Sequence, residues 1–74
     1  MAIYAKKGTI ELARAEKGWS CAELAREAGV SGPTVTRKEQ GFPVSPATAR
    51  KLADALEKPL VDLFEFRSRG RKEV

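Results

Sequence analysis

The feature that most constrains this chain is a pair of short helical segments joined at a glycine, within residues 20–41. Ala25 places a small side chain where two helix backbones can approach closely, and Gly29 tolerates the positive φ that a tight turn requires. Val35 supplies a branched apolar side chain that can lock the second helix onto the first. Counted from Cys21, these three residues stand at positions five, nine and fifteen. The spacing predicts two helices that meet at a sharp angle, a helix-turn-helix.

The rest of the chain is predicted to form short helices, because no polar–apolar alternation is long enough to indicate a sheet. The first helix covers 9–17, the S-x-x-E capping box of Ser20 and Glu23 begins the second, and a short last helix covers 60–64. The predicted fold class is all-α, a compact bundle of four to five helices. The predicted organisation is a partly ordered N-terminal arm over 1–8, one domain over 9–65 and a disordered basic tail over 66–74. Serine caps begin the third and fourth helices, and the fourth carries an apolar face of Ala49, Leu52, Ala53 and Leu56.

Two absences in the composition limit the chemistry that is open to this chain. Cys21 is the only cysteine and there is no histidine, which excludes an internal disulfide, a Cys/His zinc site and a histidine-based catalytic triad. We therefore expect no enzyme, no metal and no cofactor. No apolar run approaches the ~20 residues that a membrane span needs, and no signal peptide opens the sequence. A cytoplasmic protein without a membrane partner is expected.

The positive charge of the chain is unevenly placed. The formal net charge is +4, and residues 67–74 contribute four basic and one acidic side chain to it. The remaining ten basic and nine acidic side chains leave 1–66 with a net charge of +1. A basic tail on a near-neutral body is more often a solubilising end than a binding device. The charge permits a nucleic acid partner without establishing one.

A set of spaced residues around the predicted helix pair carries a family resemblance. The set consists of Arg14, Gly18-Trp19-Ser20, Leu24-Ala25, Ala28-Gly29-Val30-Ser31, Glu39 and Gly41, with Ala53-Asp54-Ala55-Leu56 and Asp62-Leu63-Phe64 further on. Over about residues 9–65 the chain resembles the phage Cro/C1-type, lambda-repressor-like DNA-binding domains. The resemblance implies five helices, of which the third, at about 32–40, enters the major groove of double-stranded DNA. It also implies an internal ion pair between Arg14 and Glu39.

The predicted DNA-binding residues lie at the start of the second helix and along the third. Arg37, opposite Val35, is the principal candidate, because arginine can donate two parallel hydrogen bonds to O6 and N7 of guanine. The start of the second helix offers free N–H groups and partial positive charge to a phosphate. At the tip of the third helix Gly32 and Pro33 have no polar side chain that could contact a base. We therefore expect the base contacts to come from residues further along the helix. The predicted set is Ser20, Cys21, Ser31, Gly32, Pro33, Thr34, Thr36, Arg37, Lys38 and Gln40.

Four of these residues have a second interpretation. Arg37 can instead be an exposed arginine that pairs near Glu39 or with solvent. Thr34 is equally suited to bonding back to the Ser31 cap. Lys38 can lay its stem along the edge of the core with its ammonium in water, which we favour over a phosphate contact. Cys21 is either a redox-sensitive thiol or, by default, a small inert filler. The segment 42–44 carries no charge where the family often places a basic or polar residue, so modest affinity per monomer is expected.

Two functions from different classes fit the sequence. The first is a sequence-specific, double-stranded DNA-binding transcriptional regulator, a repressor that acts as a homodimer on an inverted repeat. The alternative is a protein-interaction module or antitoxin-like partner protein that keeps the same fold. In that case the exposed members of an apolar cluster near the end would contact a protein partner. The cluster consists of Leu60, Val61, Leu63, Phe64 and Phe66.

Overall fold

Helices surround one core, and a short strand from each end of the described chain completes the fold. The structure is a computed structural model that describes residues 2–67. Within this range the helices are α1 (Thr9–Glu16), α2 (Cys21–Ala28), α3 (Gly32–Glu39), α4 (Pro46–Leu56) and α5 (Leu60–Leu63). The strands are β1 (Ala2–Ala5) and β2 (Phe64–Arg67).

Most helix ends lie where local chemistry predicted, but α1 stops at 16 instead of 17, and α5 stops at 63 because Phe64 belongs to β2. The hydroxyl of Ser20 accepts a hydrogen bond from the Glu23 N–H, and the Glu23 carboxylate accepts one from the Ser20 N–H, which completes the capping box. Ser31 and Ser45 cap α3 and α4 in the same way with their side-chain oxygens. Gly29 ends α2 in the left-handed region at φ 77°. These caps satisfy N–H groups that have no partner inside a helix.

The core is built from the apolar faces of all five helices. The predicted stripe of α4 is buried in full, and α2 contributes Leu24 and Ala25. Val35 of α3 is completely buried against them. A core of this size leaves a small domain with modest stability, because a chain of this length buries only about 60% of its unfolded surface. The buried apolar residues are Ile3, Ile10, Ala13, Leu24, Ala25, Val35, Val44, Ala49, Leu52, Ala53, Leu56, Leu63 and Phe64.

The all-α fold class is wrong in one respect, because β1 and β2 form a two-stranded antiparallel sheet. The register pairs Ile3 with Phe66 and Ala5 with Phe64. Ile3 and Phe64 are buried, and a bridge from Val44 lies on the other side of β1. Strands of four residues are too short for a period of two to stand out in the sequence, so the sheet depends on packing between distant segments. The helical bundle itself is as predicted.

The sheet also bears on the predicted arm and tail. The arm over 1–8 contains β1, and the tail over 66–74 begins inside β2. The rest of the tail, 68–74, lies outside the described residues, so its disorder stays a prediction. Between residues 2 and 67 no helix combines the length and the apolar character that crossing a bilayer requires.

Candidate nucleic-acid interface

The corner between α2 and α3 has the geometry that its spacing predicted. Ala25 is buried beside Val35, and the Val30 N–H donates to the Ala25 carbonyl at 2.9 Å. Gly29 supplies the positive φ of the turn, and Ser31 caps the helix that follows. Because Val35 is buried on one side of α3, the opposite side of that helix faces outward.

The outward face of α3 is a continuous polar stripe, which we call the α3 stripe. Its members, Pro33, Thr36, Arg37 and Gln40, are all exposed. They stand at i, i+3, i+4 and i+7, the spacing of one side of a helix. Val35 points the opposite way into the core. The α3 stripe contains an arginine and no carboxylate, so it can approach an anionic surface without local repulsion.

The acidic residue of α3 is held away from that stripe by an ion pair. The Arg14 Nε lies 2.7 Å from the Glu39 Oε2, and the Glu39 side chain is only 10% exposed. A second guanidinium nitrogen donates to Glu39 at 3.3 Å, and a third donates to the Trp19 carbonyl at 3.2 Å. The hydrogen bond to Glu39 raises the pKa of Arg14 above its usual value. The predicted ion pair is therefore present, and it ties α3 to α1.

Arg37 is positioned by an aromatic residue that the sequence analysis did not single out. The guanidinium carbon of Arg37 lies 6.0 Å from the centre of the Phe42 ring, at the outer limit of a cation–π contact. The Phe42 N–H donates to the Arg37 carbonyl at 3.1 Å, which fixes the turn after α3. Phe42 is about half exposed. An aromatic residue five positions after the arginine, in a short connection without charged residues, was the available signal.

Lys38 was predicted either to lie along the core with its ammonium in water or to contact a phosphate, and the structure matches the first of these only in part. Its Nζ donates to the Pro43 carbonyl at 2.9 Å, so the ammonium is bound to the loop instead of being free in water. The side chain is half-buried, as expected for a stem along the edge of the core. The same loop is anchored further on, where the Val44 N–H donates to the Ile3 carbonyl at 2.8 Å. Lys38 thus stabilises the loop beside the α3 stripe.

The tip of α3 uses its hydroxyl groups internally. The Ser31 and Thr34 hydroxyl oxygens lie 2.7 Å apart, and the Ser31 oxygen also accepts from the Thr34 N–H. Thr34 therefore bonds back to the cap, which was the second of its two interpretations. Gly32 is half-buried and Pro33 exposed, so the outermost group at the tip is an apolar ring.

The N-terminus of α2 was predicted to bind a phosphate through its free N–H groups, but some of these groups already have hydrogen-bond partners within the chain. The capping box uses the Ser20 N–H and the Glu23 N–H, and it places the Glu23 carboxylate at this end of the helix. The Cys21 thiol donates to Glu39 at 3.5 Å. Burial, followed by the Glu39 carboxylate, raises the pKa of Cys21. Because the reactive form of a thiol is the thiolate, this favours the inert filler over the redox sensor.

The structure thus groups the predicted site residues unequally. Pro33, Thr36, Arg37 and Gln40 share the α3 stripe, whereas Lys38 bonds the adjacent loop. The other predicted residues bond within the caps or lie at their edges. Whether any of them contacts DNA remains a prediction.

The fold and the α2–α3 corner define a helix-turn-helix domain. A family model described as "Helix-turn-helix domain" matches residues 8–64, which is most of the chain. The chain belongs to this family, and the family-level resemblance seen in the sequence is confirmed.

One solved structure is similar to this chain in both sequence and fold. It is the crystal structure of the hypothetical transcription factor NHTF from Neisseria, with 31% sequence identity and a TM-score of 0.67. The match covers 72% of this chain and 61% of that one, so this chain spans under two thirds of that protein's length. No curated protein matches this sequence.

Proposed function

We propose that this protein is a sequence-specific, double-stranded DNA-binding transcriptional regulator of the Cro/C1 type. It acts as a repressor in the cytoplasm, has no catalytic activity of its own, inserts α3 into the major groove and binds an inverted repeat as a homodimer. The α3 stripe carries this proposal. It is exposed, free of carboxylates and centred on Arg37. Membership of the helix-turn-helix family and similarity to a hypothetical transcription factor support it.

Each member of the α3 stripe has a matching group on a base edge. The Arg37 guanidinium can donate to O6 and N7 of guanine, and the Gln40 amide can pair with N6 and N7 of adenine. Thr36 offers a hydroxyl and a methyl group. The Pro33 ring suits a thymine methyl. Good bidentate pairs contribute about 1–3 kcal/mol of discrimination, so Arg37 should dominate specificity.

Phosphate contacts are fewer than the net charge of the whole chain suggests. The Cys21 N–H at the start of α2 is not part of the capping box, but the Glu23 carboxylate lies nearby and opposes a phosphate. Lys38 is engaged by the loop. Since each phosphate that a protein neutralises steepens the salt dependence by about 0.9 in log–log slope, we expect a modest slope per monomer.

Selection from random double-stranded DNA, followed by titration of the enriched site, tests the proposal. The wild type should enrich a palindromic motif. Arg37→Ala should lose preference at one position of each half-site, by roughly 5- to 150-fold. Arg50→Ala is the matched control, because it also removes one exposed arginine but lies on α4, where Arg50 pairs with Asp54. It should keep the motif. Absence of any enriched motif would contradict the proposal.

The alternative, a protein-interaction or antitoxin-like module, is favoured by a different observation. Leu12, Val61 and Phe66 lie outside the α3 stripe and are more than 60% exposed. A module of this kind would bind a protein partner tightly and enrich no DNA motif. Arg37→Ala would leave that binding unchanged, whereas Val61→Asp would weaken it.

A further inference from the structure

The first turn of α3 offers few main-chain hydrogen-bond donors to a ligand. The first N–H groups of a helix have no acceptor inside it, and they commonly bind an anion or another acceptor. In α3, however, Pro33 has no N–H, and the Thr34 N–H donates to the Ser31 side-chain oxygen at 3.2 Å. The Val35 N–H donates to the Ser31 carbonyl at 3.3 Å. Within the described part of the chain, this leaves only the Gly32 N–H of these first-turn groups free for a ligand.

The side chains at this tip are also poor in polar groups. The Ser31 and Thr34 hydroxyl oxygens lie 2.7 Å apart and share a hydrogen bond. Gly32 has no side chain, and a Cβ added to it would meet no atom within 4 Å, so the space around it is open. Pro33 is exposed. The tip of α3 therefore presents an apolar ring with open space beside it.

The two ends of the α3 stripe thus differ in chemistry. Pro33 forms the apolar end, and Arg37 and Gln40 form the polar end. The Arg37 guanidinium carbon lies 6.0 Å from the centre of the Phe42 ring, which follows the helix. From Pro33 to Arg37 the helix rises about 6 Å, and successive bases of a DNA strand lie about 3.4 Å apart. A base pair that Pro33 contacts should therefore lie within about two base pairs of one that Arg37 contacts.

The apolar group that a base pair offers in the major groove is the methyl group on C5 of thymine. 5-Methylcytosine carries the same group on the same ring atom. We propose that the α3 stripe recognises a guanine together with a neighbouring 5-methylpyrimidine: Arg37 binds the guanine edge, and the Pro33 ring packs on the methyl group. This inference rests on the proposed function and names the base chemistry that the DNA site must contain.

The methyl group should contribute equally on thymine and on cytosine. Beside the methyl group thymine presents the O4 acceptor, whereas cytosine presents an N4 donor. The Pro33 side chain has neither a donor nor an acceptor, so it cannot distinguish these two groups by hydrogen bonding. Methylation of a cytosine at this position should therefore strengthen binding as much as the thymine methyl does.

Duplexes that differ by one methyl group test the contact without any change to the protein. Selection from random DNA gives the half-site, and its guanine is the position whose preference Arg37→Ala abolishes. A thymine should be enriched within about two base pairs of that guanine. Replacing it by uracil, or replacing 5-methylcytosine by cytosine in a second pair of duplexes, removes the methyl group alone. Each replacement should raise the Kd for a single half-site about fourfold, the effect of one buried methyl or methylene group.

Pro33→Ala tests whether the proline makes the contact. Without the ring, both methyl effects should fall below about twofold, and the preference for guanine should remain because Arg37 is unchanged. Pro46→Ala is the matched control, because Pro46 is also an exposed proline in the first turn of a helix, α4. It should keep both methyl effects. Circular dichroism should show an unchanged fold for both variants.

Three outcomes would overturn this contact. They are a half-site with no thymine near its guanine, a Kd that does not change when either methyl group is removed, and methyl effects that Pro33→Ala leaves at their wild-type size. Each of these requires an enriched motif, so each contradicts the methyl contact and leaves DNA recognition intact. Absence of any enriched motif instead contradicts the proposed function, and the methyl contact with it.

Discussion

The ion pair between α1 and α3 can be tested by removing each partner and then both. Arg14→Met keeps the apolar stem of the side chain and removes the guanidinium. Glu39→Gln keeps the shape of the side chain and removes its charge. The single and double variants make a double-mutant cycle whose coupling energy isolates the interaction.

The magnitude follows from the geometry of the pair. Two guanidinium nitrogens contact the Glu39 carboxylate, at 2.7 and 3.3 Å, and that carboxylate is 10% exposed. Hydrogen bonds to charged groups contribute about 1.5–3 kcal/mol. After Arg14→Met the carboxylate keeps, among the partners within residues 2–67, the Cys21 thiol at 3.5 Å alone. We expect Arg14→Met to lower the free energy of unfolding by about 2 kcal/mol, with a coupling energy of about 1–2 kcal/mol, because the Arg14 side chain is still 22% exposed.

Urea unfolding followed by circular dichroism measures these quantities. The midpoint should fall with no change in the m-value, and Tm should fall by roughly 8–16 °C for about 2 kcal/mol in a domain of this size. Lys17→Met, which breaks an ion pair whose carboxylate, Glu57, is 77% exposed, is the control and should lower stability far less. A coupling energy below about 0.3 kcal/mol would refute the reasoning, because that is the size of a surface pair.

Three other residues give predictions of their own. Gly29→Ala should lower the free energy of unfolding by about 1 kcal/mol in urea, from its φ of 77° alone, since an added Cβ has no atom within 4 Å. The control Gly32→Ala, at negative φ and with equal space, should be neutral or slightly stabilising. The Cys21 pKa is raised in the folded state, so the neutral thiol favours folding below the usual thiol pKa, and that contribution is lost as pH rises through the raised value. Alkylation by iodoacetamide should accordingly reach half of its maximal rate at a higher pH than in the unfolded chain; an equal midpoint would contradict the shift. Phe42→Ala should weaken binding of the selected DNA site about threefold, because Arg37 loses its cation–π neighbour, and change the free energy of unfolding by less than about 0.5 kcal/mol.

Local chemistry explains why most of the helical fold was predictable. The capping serines, the glycine of the turn and the apolar stripe of α4 each act within a few residues of chain. The Arg14–Glu39 pair joins positions 25 residues apart, and it was expected from the family resemblance alone. The exposure of Arg37 followed from its position opposite Val35 on one helix.

The features that were missed depend on distant or irregular contacts. β1 and β2 are four residues each, and they form a sheet only when packing brings the two segments together. The Lys38 ammonium reaches the Pro43 carbonyl because the loop after α3 turns back towards the helix. The hydrogen bond from the Val44 N–H to the Ile3 carbonyl of β1 holds the loop in this conformation. The contact between Arg37 and Phe42 depends on the same turn. Sequence periodicity carries no information about such a path.

The sheet also has a consequence for the order in which the chain folds. Pairing of Ala2 with Arg67 joins segments 65 residues apart, whereas the contacts of α2 with α3 are local. Because a long loop must close before such a pairing is favourable, we expect the sheet to form after the helices. During synthesis β1 emerges early and has no partner strand until β2 has left the ribosome. The helices can pack in that interval, and the β1–β2 pairing then closes the chain around an assembled core.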